Sequence, residues 1–442
     1  IHPTEWKYVG GGDGFYAQID PRDPNTVYGE SQFGAIYRRN MATGTSVGIR
    51  PSKPEGAEES SLRFNWNSPI LISSHNPEII YFCGNRVFKS FDRGDTWPVH
   101  SPDLTTSDAE KIAGNVPHCT ITTISESPRD PGLLLVGTDD GLVQMSTDGG
   151  YGWTNLTGQF PGLPANWWVS RVTLSAHDSG RAYASFTGYR EDDFRPLVYA
   201  TDDLGSGKSW RLITTGLEPS GPVNDVIEDP AHPDVLFAGT EFGAAVSCDR
   251  GAHWVALRGA LPRVPVHDLA LHDRDGVLVA ATHGRGFWAL EVDAIRGLSP
   301  EALGAAEHLF PVGDLTRWAR RSAVGGYGGG DGTWRGQNED RALGLWVHRR
   351  AGDQPLAVEI LGPDEEIVAR LDVPEGAGMH GLTWDGAMDR EVAKRRGRAP
   401  EGTYSARMVR VVAGEEPSYN PVGDARSFRV RRDPLLSGAS SA

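Results

Sequence analysis

Cysteine is scarce in this sequence, and its spacing excludes a fold held together by disulfide bonds. The three cysteines, Cys83, Cys119 and Cys248, lie far apart and form no Cys-x-x-Cys pair. A small disulfide-rich scaffold and a zinc site built on paired cysteines are therefore both excluded. We expect buried free thiols, which pack as small apolar side chains.

An excess of positive charge and long apolar runs are also missing. The chain has 43 Lys and Arg against 58 Asp and Glu, a formal net charge of −15, which repels nucleic acid and anionic lipid. The sequence contains no apolar run of about 18 residues, the length that would predict a membrane-spanning helix. The first residues, IHPTEWKYVG, lack the basic region and apolar stretch of a signal peptide.

The sequence is instead rich in turn-forming residues and contains one turn four times. Its 55 Gly and 30 Pro predict many short strands. The stretch STDGGYGW has close copies in SFDRGDTW and SCDRGAHW and a longer copy in TDDLGSGKSW. The aspartates of these boxes are Asp92, Asp148, Asp203 and Asp249, which are 56, 55 and 46 residues apart. Repeats of about this length are typical of propellers and solenoids.

Each box belongs to a longer repeated unit that predicts four strands. SPRDPGLLLVGTDDGLVQMSTDGGYGW matches DPAHPDVLFAGTEFGAAVSCDRGAHW, with apolar runs separated by turn residues, which is the pattern of strands rather than helices. Three strands precede each box and a fourth follows its tryptophan. The six units begin near Phe15, Asn65, Thr120, Val169, Val223 and Val266.

The sixth unit lacks a fourth strand, while the N-terminal segment WKYV, Trp6 to Val9, has no unit of its own. We expect this segment to complete the last sheet, because a radial array leaves an open seam unless its first and last sheets join. The predicted fold is all-β. It is a six-bladed β-propeller closed by an N-terminal strand, or a seven-bladed one if a degenerate unit is present.

The repeated boxes resemble the Asp-box, or BNR repeat, of the sialidase superfamily. The resemblance rests on aligned Ser or Thr, Asp, Gly and Trp in the four copies. It implies a turn between the third and fourth strands, in which the aspartate accepts backbone N–H bonds, the glycine adopts a conformation closed to other residues, and the tryptophan packs between sheets. In that superfamily the boxes lie away from the active site, so they imply a fold and no reaction.

After residue 298 a second region begins. SPEALGAAEHLF predicts a short helix with Ser299 as its N-cap and Pro300 in its first turn, and the glycine-rich AVGGYGGGDGTWRGQ predicts a connector. From Leu343, about seven short runs of alternating apolar and polar residues predict an antiparallel β-sandwich. Its segments HGLTWDG and PEGTYSARMV resemble the FlgD-type immunoglobulin-like domains. The predicted divisions are the propeller at 1–298, the helix and linker at 299–340, the sandwich at 341–434 and a disordered tail at 435–442.

The chain as a whole resembles the C-terminal part of large bacterial proteins described as BNR-repeat or sortilin-like glycosyl hydrolases. The motifs concerned are GGDGFYAQIDP, RFNWNSPI, KSFDRGDTW, SPDLT, VGTDDG and ATHGRGFW. Better-defined relatives of that group are two-propeller xyloglucanases, which cleave glycans with paired aspartates, and sortilin, which binds peptides inside its ring. Sialidase activity itself is not expected, because the chain has no Arg-Ile-Pro motif in its first unit and no arginine triad.

The innermost strands of a propeller line its axis, and the loops at their starts form a funnel that is the default ligand site. Aligning the six inner strands predicts a ring of residues at Tyr16, Pro69, Thr123, Arg171, Asp225 and Asp268. The preceding ring is Phe15, Ser68, Thr122, Ser170, Asn224 and His267. The loops above the rings add Asp13, Arg63, Asn65, Trp66, His118, Trp167, Trp168, His283 and Arg285.

Three functions fit these residues. The first is hydrolysis of a polysaccharide or oligosaccharide, with Asp225 and Asp268 as general acid and base. The second is non-catalytic binding of a peptide or glycan, as in sortilin, and the third is service as the partner of a second propeller. In a structural alternative, Arg171 neutralises the two aspartates and helps to fill the channel. The aromatic faces of Trp66, Trp167 and Trp168 are expected to stack on sugar rings. The other substrate-binding candidates are Arg171, His267, Asn224, His283 and Arg285.

No motif in the sequence points to a metal or a nucleotide, so no cofactor is expected. The HGRG turn that contains His283 and Arg285 predicts either an anion contact or only the turn before the last strand. The neighbours His118 and Cys119 are expected to point to opposite faces of a strand. The family resemblance implies an extracellular or periplasmic location.

Overall fold

The computed structural model divides into two compact units, one spanning residues 7–290 and one containing the described residues from 291 onward. In the part that the structure describes, no helix is both long enough and apolar enough to cross a membrane. The described residues are 7–13, 15–53, 62–114, 116–206, 210–258, 261–318, 342–350, 354–389, 397–414 and 417–433.

The first unit consists of six successive antiparallel sheets, which we call blades 1 to 6. In the described residues, blades 1 to 5 have four strands each and blade 6 has three, and each blade runs in sequence order from its inner to its outer strand. The all-β, six-bladed prediction is confirmed.

Blade 1 comprises β1 (Ala17–Ile19), β2 (Thr26–Ser31), β3 (Ala35–Asn40) and β4 (Ser46–Gly48). Blade 2 comprises β5 (Ile70–Ile72), β6 (Ile80–Cys83), β7 (Val87–Ser90) and β8 (Val99–His100). Blade 3 comprises β9 (Ile121–Ser127), β10 (Asp130–Thr138), β11 (Val143–Ser146) and β12 (Thr154–Asn155).

The remaining blades repeat this order. Blade 4 comprises β13 (Trp168–Leu174), β14 (Ala182–Gly188), β15 (Asp193–Thr201) and β16 (Arg211–Leu212). Blade 5 comprises β17 (Val223–Glu228), β18 (Leu236–Thr240), β19 (Gly243–Ser247) and β20 (Val255–Ala256). Blade 6 comprises β21 (Val266–His272), β22 (Val277–Thr282) and β23 (Gly286–Glu291). Short helices connect some strands: α1 (Ala109–Ile112) and the 3-10 turns Gln32–Gly34, Thr157–Gln159, Tyr189–Glu191 and Asp273–Asp275.

Apolar cores lie between consecutive blades rather than within a single blade. Tyr28 and Ile36 of blade 1 share a core with Ile70 and Phe82 of blade 2. Comparable cores join blade 2 to blade 3, blade 3 to blade 4, and blade 4 to blade 5. A single four-stranded sheet cannot bury both of its faces, so each blade depends on its neighbours for stability.

Buried glutamates join blades at the edge where the inner strands end. Glu126 of blade 3 accepts hydrogen bonds from Ser73 Oγ, the Ser74 backbone N–H and Tyr81 Oη of blade 2, at 2.9–3.0 Å. Glu228 of blade 5 repeats these contacts with blade 4, accepting from Ser175 Oγ, the Ala176 N–H and Tyr183 Oη at 2.6–3.0 Å. These bonds fix neighbouring inner strands in register.

Three of the four boxes, those of Asp92, Asp148 and Asp249, form the hydrogen-bonded turns expected from their sequence. In blade 5, Asp249 Oδ1 accepts from the His253 N–H at 2.8 Å, and Ser247 Oγ accepts from the Gly251 N–H at 2.8 Å. Gly251 has a φ of 81°, in the left-handed region that favours glycine. Trp254 donates to the backbone oxygen of Ile213, which follows the last strand of blade 4, at 2.7 Å, so the box tryptophan bridges two blades.

The segment expected to close the ring, Trp6 to Val9, is only partly described. Trp6 lies outside the described residues, and residues 7–9 form no strand. The carbonyl of Val9 accepts a hydrogen bond from Arg39 of blade 1 at 3.2 Å, and the Arg39 guanidinium lies 5.5 Å from the Tyr8 ring centroid. The described part of this segment therefore contacts blade 1.

The second unit contains two sheets that share one core. The prediction of a helix at Ser299 is confirmed, because α3 (Pro300–Gly304) begins after Ser299, whose Oγ accepts from the Ala302 N–H at 3.1 Å. The glycine-rich connector and the C-terminal tail lie outside the described residues. The three-stranded sheet has the order β24 (Glu307–Leu309), β26 (Leu343–Arg349), β29 (Gly378–Trp384).

The five-stranded sheet of this unit combines antiparallel pairs with one parallel pair. Leu345 of one sheet and Val358 of the other belong to the same buried core, as expected for a two-layer sandwich. The parallel pair joins β25 (Leu315–Arg317) to β33 (Ser418–Arg432), and the sequence did not predict it. The order is β25 (Leu315–Arg317), β33 (Ser418–Arg432), β32 (Gly402–Val412), β27 (Leu356–Leu361), β28 (Ile367–Val373). The unit also contains α2 (Asp293–Arg296) and the short pair β30 (Ala387–Met388) and β31 (Gly397–Arg398).

Candidate functional site

The starts of the inner strands and the loops between second and third strands lie at the same edge of the propeller unit, which we call the inlet edge. This follows from the antiparallel order within each blade, since the second strand runs back to the edge where the first began. The boxes come after the third strand and lie at the opposite edge. The topology therefore separates the repeated turns from the loops expected to bind a ligand.

Four residues in or next to the inner strands of four blades meet in one polar cluster around Arg171. Arg171 of blade 4 donates from Nε to Asp225 Oδ1 of blade 5 at 2.7 Å and forms an ion pair through a terminal nitrogen with Asp268 of blade 6. Its other terminal nitrogen lies 3.5 Å from the hydroxyl of Tyr16, next to β1 of blade 1. The alignment of inner strands had placed all four residues in one ring, and the structure brings them together.

The two aspartates of this cluster differ in their access to solvent. The side chain of Asp225 is 0% exposed, whereas that of Asp268 is 55% exposed. Asp225 Oδ2 also accepts from the Leu269 N–H of blade 6 at 2.7 Å. Thr123 Oγ1 accepts in the same way from the Val172 N–H of the next blade, at 3.2 Å. Asp225 thus serves as an inter-blade acceptor, and only Asp268 faces solvent.

Burial controls the protonation of this cluster. It raises the pKa of the Asp225 carboxyl to about 6, an effect that Arg171 opposes and the charge of Asp268 reinforces. Burial also raises the pKa of Tyr16. Although burial disfavours the charge on Arg171, the two carboxylates raise the pKa of its guanidinium well above the ordinary value. Arg171 is therefore the fixed positive charge about which the two acids are arranged.

A β-bulge recurs at the start of four inner strands, and the bulged residues are four of the six members of the second predicted ring. Pairing shifts by one residue at Thr122, Ser170, Asn224 and His267. Three of these side chains donate to a backbone oxygen at the start of the next inner strand. The bonds are Thr122 Oγ1 to Val169 at 2.8 Å, Ser170 Oγ to Val223 at 2.7 Å and Asn224 Nδ2 to Val266 at 3.3 Å.

The fourth bulged residue, His267, lies in a polar cluster at the inlet edge. Its ring centroid is 5.3 Å from that of His283, and its Nε2 is 3.9 Å from Glu241 Oε1. Asn224 Nδ2 donates to the same Glu241 oxygen at 3.0 Å. Burial lowers the pKa of His267, Glu241 opposes this shift, and His283 adds to it. The sequence grouped Asn224, His267 and His283 but missed Glu241.

The three tryptophans predicted to stack on sugars lie in different environments. Trp66 is 43% exposed and makes edge-to-face contacts with Phe33 and Phe15, at centroid distances of 4.9 and 6.5 Å. Trp168 is partly buried, with the Arg190 guanidinium 4.1 Å from its ring centroid. Trp167 is only 7% exposed and packs in the core between blades 3 and 4. The prediction that Trp167 presents a free face to a sugar is wrong, because that core covers it.

The expectation for His118 and Cys119 is also wrong. Cys119 is not in a strand and has a φ of 58°, so the two side chains lie on the same side, with Cys119 Sγ 3.8 Å from His118 Nδ1. The Cys119 N–H donates to His118 Nδ1 at 2.9 Å. Burial raises the pKa of the Cys119 thiol, and Cys119 is fully buried. The pair therefore has no reactive thiolate at the surface.

Some of the remaining loop candidates make hydrogen bonds within the fold, and others are exposed to solvent. Asn65 Nδ2 donates to Thr120 Oγ1 at 2.8 Å, which ties blade 2 to blade 3. Asp13 accepts from Gln32 at 2.8 Å. His283 and Arg285 are exposed in the turn between β22 and β23, where the Arg285 carbonyl accepts from Trp288 at 3.1 Å. Within the described ranges, no group of three or more His, Cys, Asp or Glu side chains has the arrangement of a metal site.

The residues that sequence analysis missed come mainly from the loop between the second and third strands. This loop supplies Phe33 in blade 1, Arg190 in blade 4 and Glu241 in blade 5. Its signal was present in SQFG, GTDDG, GTEFG and ATHGRG, which recur at one position of the unit. The alignment considered only the inner strands, so among these four loops only ATHGRG, with His283 and Arg285, contributed candidates.

Comparison with known proteins leaves the family open. No protein-family model matches the chain, and no curated protein sequence matches it. Among solved structures, the crystal structure of an ancestral GH74 enzyme aligns with 81% of this chain at 13% sequence identity and a TM-score of 0.40. The aligned region is 46% of that enzyme, so the chain spans about half of its length.

Proposed function

We propose that the propeller unit binds a glycan at its inlet edge. The supporting observation is a series of contacts there that joins the exposed Trp66 to the exposed Asp268. Trp66 contacts Phe15, the neighbouring Tyr16 reaches Arg171, and Arg171 holds the exposed Asp268. An aromatic face beside hydrogen-bonding groups is the combination that sugar rings require, since one face of a sugar is apolar and its edges carry hydroxyls.

The net charge of −15 limits the ligand to neutral or weakly charged chains, because a polyanion is repelled by the whole molecule. Trp66 is the stacking residue in this proposal. Asp268 and His267 form hydrogen bonds with the sugar hydroxyls, while the buried Asp225 connects the blades beneath this surface.

The Trp66→Ala substitution tests this function. We expect it to weaken binding of neutral oligosaccharides by about tenfold or more, which corresponds to roughly 1.4 kcal/mol of lost stacking, as measured by calorimetric titration against a panel of glucan, xylan and mannan fragments. Tyr151→Ala is the matched control, since Tyr151 is 64% exposed in a box at the opposite edge. Equal affinity of W66A and the parent protein for every fragment that binds would refute the role of Trp66.

Glycoside hydrolysis is the second candidate, and one observation favours it. Two carboxylates meet on Arg171, and one of them, Asp268, is exposed to solvent. Since Asp225 is buried with both oxygens engaged, Asp268 is the carboxylate that contacts the sugar in this proposal. Asp225 acts through Arg171 as a positioning residue.

The Asp268→Asn substitution tests hydrolysis. We expect loss of turnover on any glycan that the parent protein cleaves, with ligand affinity and thermal stability retained, because the side chain is half exposed. Asp234→Asn is the control, since Asp234 is 56% exposed and is also paired with an arginine, Arg250, at 2.7 Å, but at the opposite edge. Turnover that persists in D268N excludes this assignment, and binding without turnover in the parent protein leaves the first function alone.

A further inference from the structure

A cleft of about 350 Å³ opens beside Trp66 and is not part of the site described above. Its walls come from the turn after β2, the segment after β4, the segment before β5 and the chain around α1. Two of the residues that line it are arginines and one is a histidine, and the others are mainly apolar. The residues used below are Phe33, Arg50, Arg63, Phe64 and His118.

The two arginines of the cleft differ in how their charge is balanced. Arg63 is neutralised within the fold, because it donates to Asp103 Oδ2 at 2.7 Å and to Thr105 Oγ1 at 3.1 Å. Arg50 is exposed, with its guanidinium 4.8 Å from the Phe64 ring centroid. No carboxylate among the described residues pairs with Arg50. The cleft therefore holds one positive charge that is positioned by an aromatic ring and retains its donors.

His118 adds an oriented hydrogen-bond donor to the same cleft. Its Nδ1 accepts the Cys119 N–H at 2.9 Å and lies 3.6 Å from Asp139 Oδ1, so Nε2 is the ring nitrogen that remains to donate to a ligand. The left-handed backbone at Cys119 makes this bond possible. Arg50 and His118 thus supply two hydrogen-bond donors to one cleft, one for each oxygen of a carboxylate.

The mouth of the cleft is formed by an aromatic residue whose backbone is strained. Phe33 lines the cleft, is 44% exposed and has a φ of 61°, which a bulky side chain rarely adopts. Its ring makes the edge-to-face contact with Trp66 at 4.9 Å. The cleft is therefore continuous with the aromatic surface on which the proposed glycan lies.

We propose that this cleft binds the carboxylate of a uronic acid residue carried by an otherwise neutral glycan, through Arg50 and His118. The inference rests on the proposed glycan binding and narrows its ligand class. An isolated uronate fits better than a polyuronate, because the net charge of −15 repels a chain of carboxylates, whereas a single one is attracted locally by Arg50.

The test compares xylo-oligosaccharides with the same oligosaccharides bearing one glucuronate, together with free glucuronate and glucose, in calorimetric titrations of the full chain. We expect the glucuronate to increase affinity about tenfold or more, the usual effect of a charge-assisted hydrogen bond. Arg50→Gln removes this increase and leaves affinity for the neutral oligosaccharide unchanged. Arg274→Gln, an exposed arginine in the β21–β22 turn at the opposite edge, retains the increase.

The outcomes distinguish failure of the uronate cleft from failure of the glycan site. If neutral and acidic oligosaccharides bind equally to the parent protein, the glycan site stands and the uronate cleft is refuted. If free glucuronate binds and requires Arg50 while neutral fragments fail to bind, the cleft stands and the neutral glycan site is refuted. If R50Q keeps the full increase, the carboxylate lies elsewhere. If nothing binds, both proposals are refuted.

Discussion

At the residue scale, Glu30 shows how burial alone decides a charge. It lies at the inlet end of β2, is 1% exposed, and accepts the Gly34 N–H at 3.2 Å with Oε1. Among the described residues, Oε2 has no partner. Burial raises the pKa of this carboxyl to about 8, against the effect of its backbone hydrogen bonds. The group is therefore neutral at pH 7 and lies under the turn that presents Phe33.

Glu30→Gln should change how stability depends on pH. Because the folded protein holds a proton that the unfolded chain releases above its ordinary pKa of 4.5, the unfolding free energy of the parent falls as pH rises from about 4.5 to about 8. E30Q removes this proton, so its melting temperature should rise relative to the parent across that window, most at pH 8 and above. Thermal melts from pH 5 to 9 measure this.

Glu110→Gln serves as the control for that experiment, since Glu110 is exposed in α1. Its melting temperature should differ from that of the parent by the same amount at every pH. Parallel curves for E30Q and the parent protein would show that Glu30 is ionised in the folded protein, contrary to the expectation from burial.

Single residues were also where sequence analysis was least successful. Trp167 and Asp225 have the same residue types as Trp66 and Asp268, yet the first two are buried and the second two are exposed. Which member of each pair reaches solvent depends on how the next blade packs against it. That packing involves residues about 50 positions away in the chain, so the local pattern does not contain it.

At the element scale, the box turn joins two blades through its glycine. A Cβ atom on Gly251 would lie 2.5 Å from Ile213 Cδ1 of blade 4, and one on Gly94 would lie 2.6 Å from Ile49 Cδ1 of blade 1. Ile213 and Ile49 each follow the last strand of the preceding blade. The glycine is required both for its positive φ and for this close approach.

Gly251→Ala and Gly162→Ala separate these two requirements. Both glycines have positive φ, 81° and 72°, but only Gly251 has a neighbour that a methyl group would strike. We expect G162A to cost about 1–2 kcal/mol from backbone strain alone. G251A should cost about 1–3 kcal/mol more, from overpacking against Ile213. Urea unfolding measures both, and equal losses would show that the box does not fix the distance between blades.

At the scale of the whole molecule, the inner strands are held together by two kinds of bond. At the inlet edge, Ser170 and Asn224 donate from their bulges to the next blade. At the opposite edge, Glu126 and Glu228 accept from the previous blade. Arg171 then joins blade 4 to blades 5 and 6 and reaches Tyr16 beside blade 1. These contacts connect neighbouring inner strands near both of their ends, and the exposed groups of the inlet edge are mounted on these connected strands.

The acidic surface of the whole chain and the local charge at Arg50 act in opposite directions on an anionic ligand. Long-range repulsion from a net charge of −15 weakens with added salt, while the contact with Arg50 is short-ranged and local. This difference is the reason that the proposed ligand carries one carboxylate and not many.

The sequence by itself determined the number of blades, the order of strands within each blade, the box turns and the ring that contains Arg171, Asp225 and Asp268. All of these depend on patterns within one repeated unit, where local turn chemistry and alternation act directly on neighbouring residues. The tertiary structure alone decided that Asp225 is buried while Asp268 is exposed, that Glu241 joins His267, and that Phe33, Arg50 and His118 line one cleft. These arrangements join residues from separate blades and loops, and packing between blades fixes them.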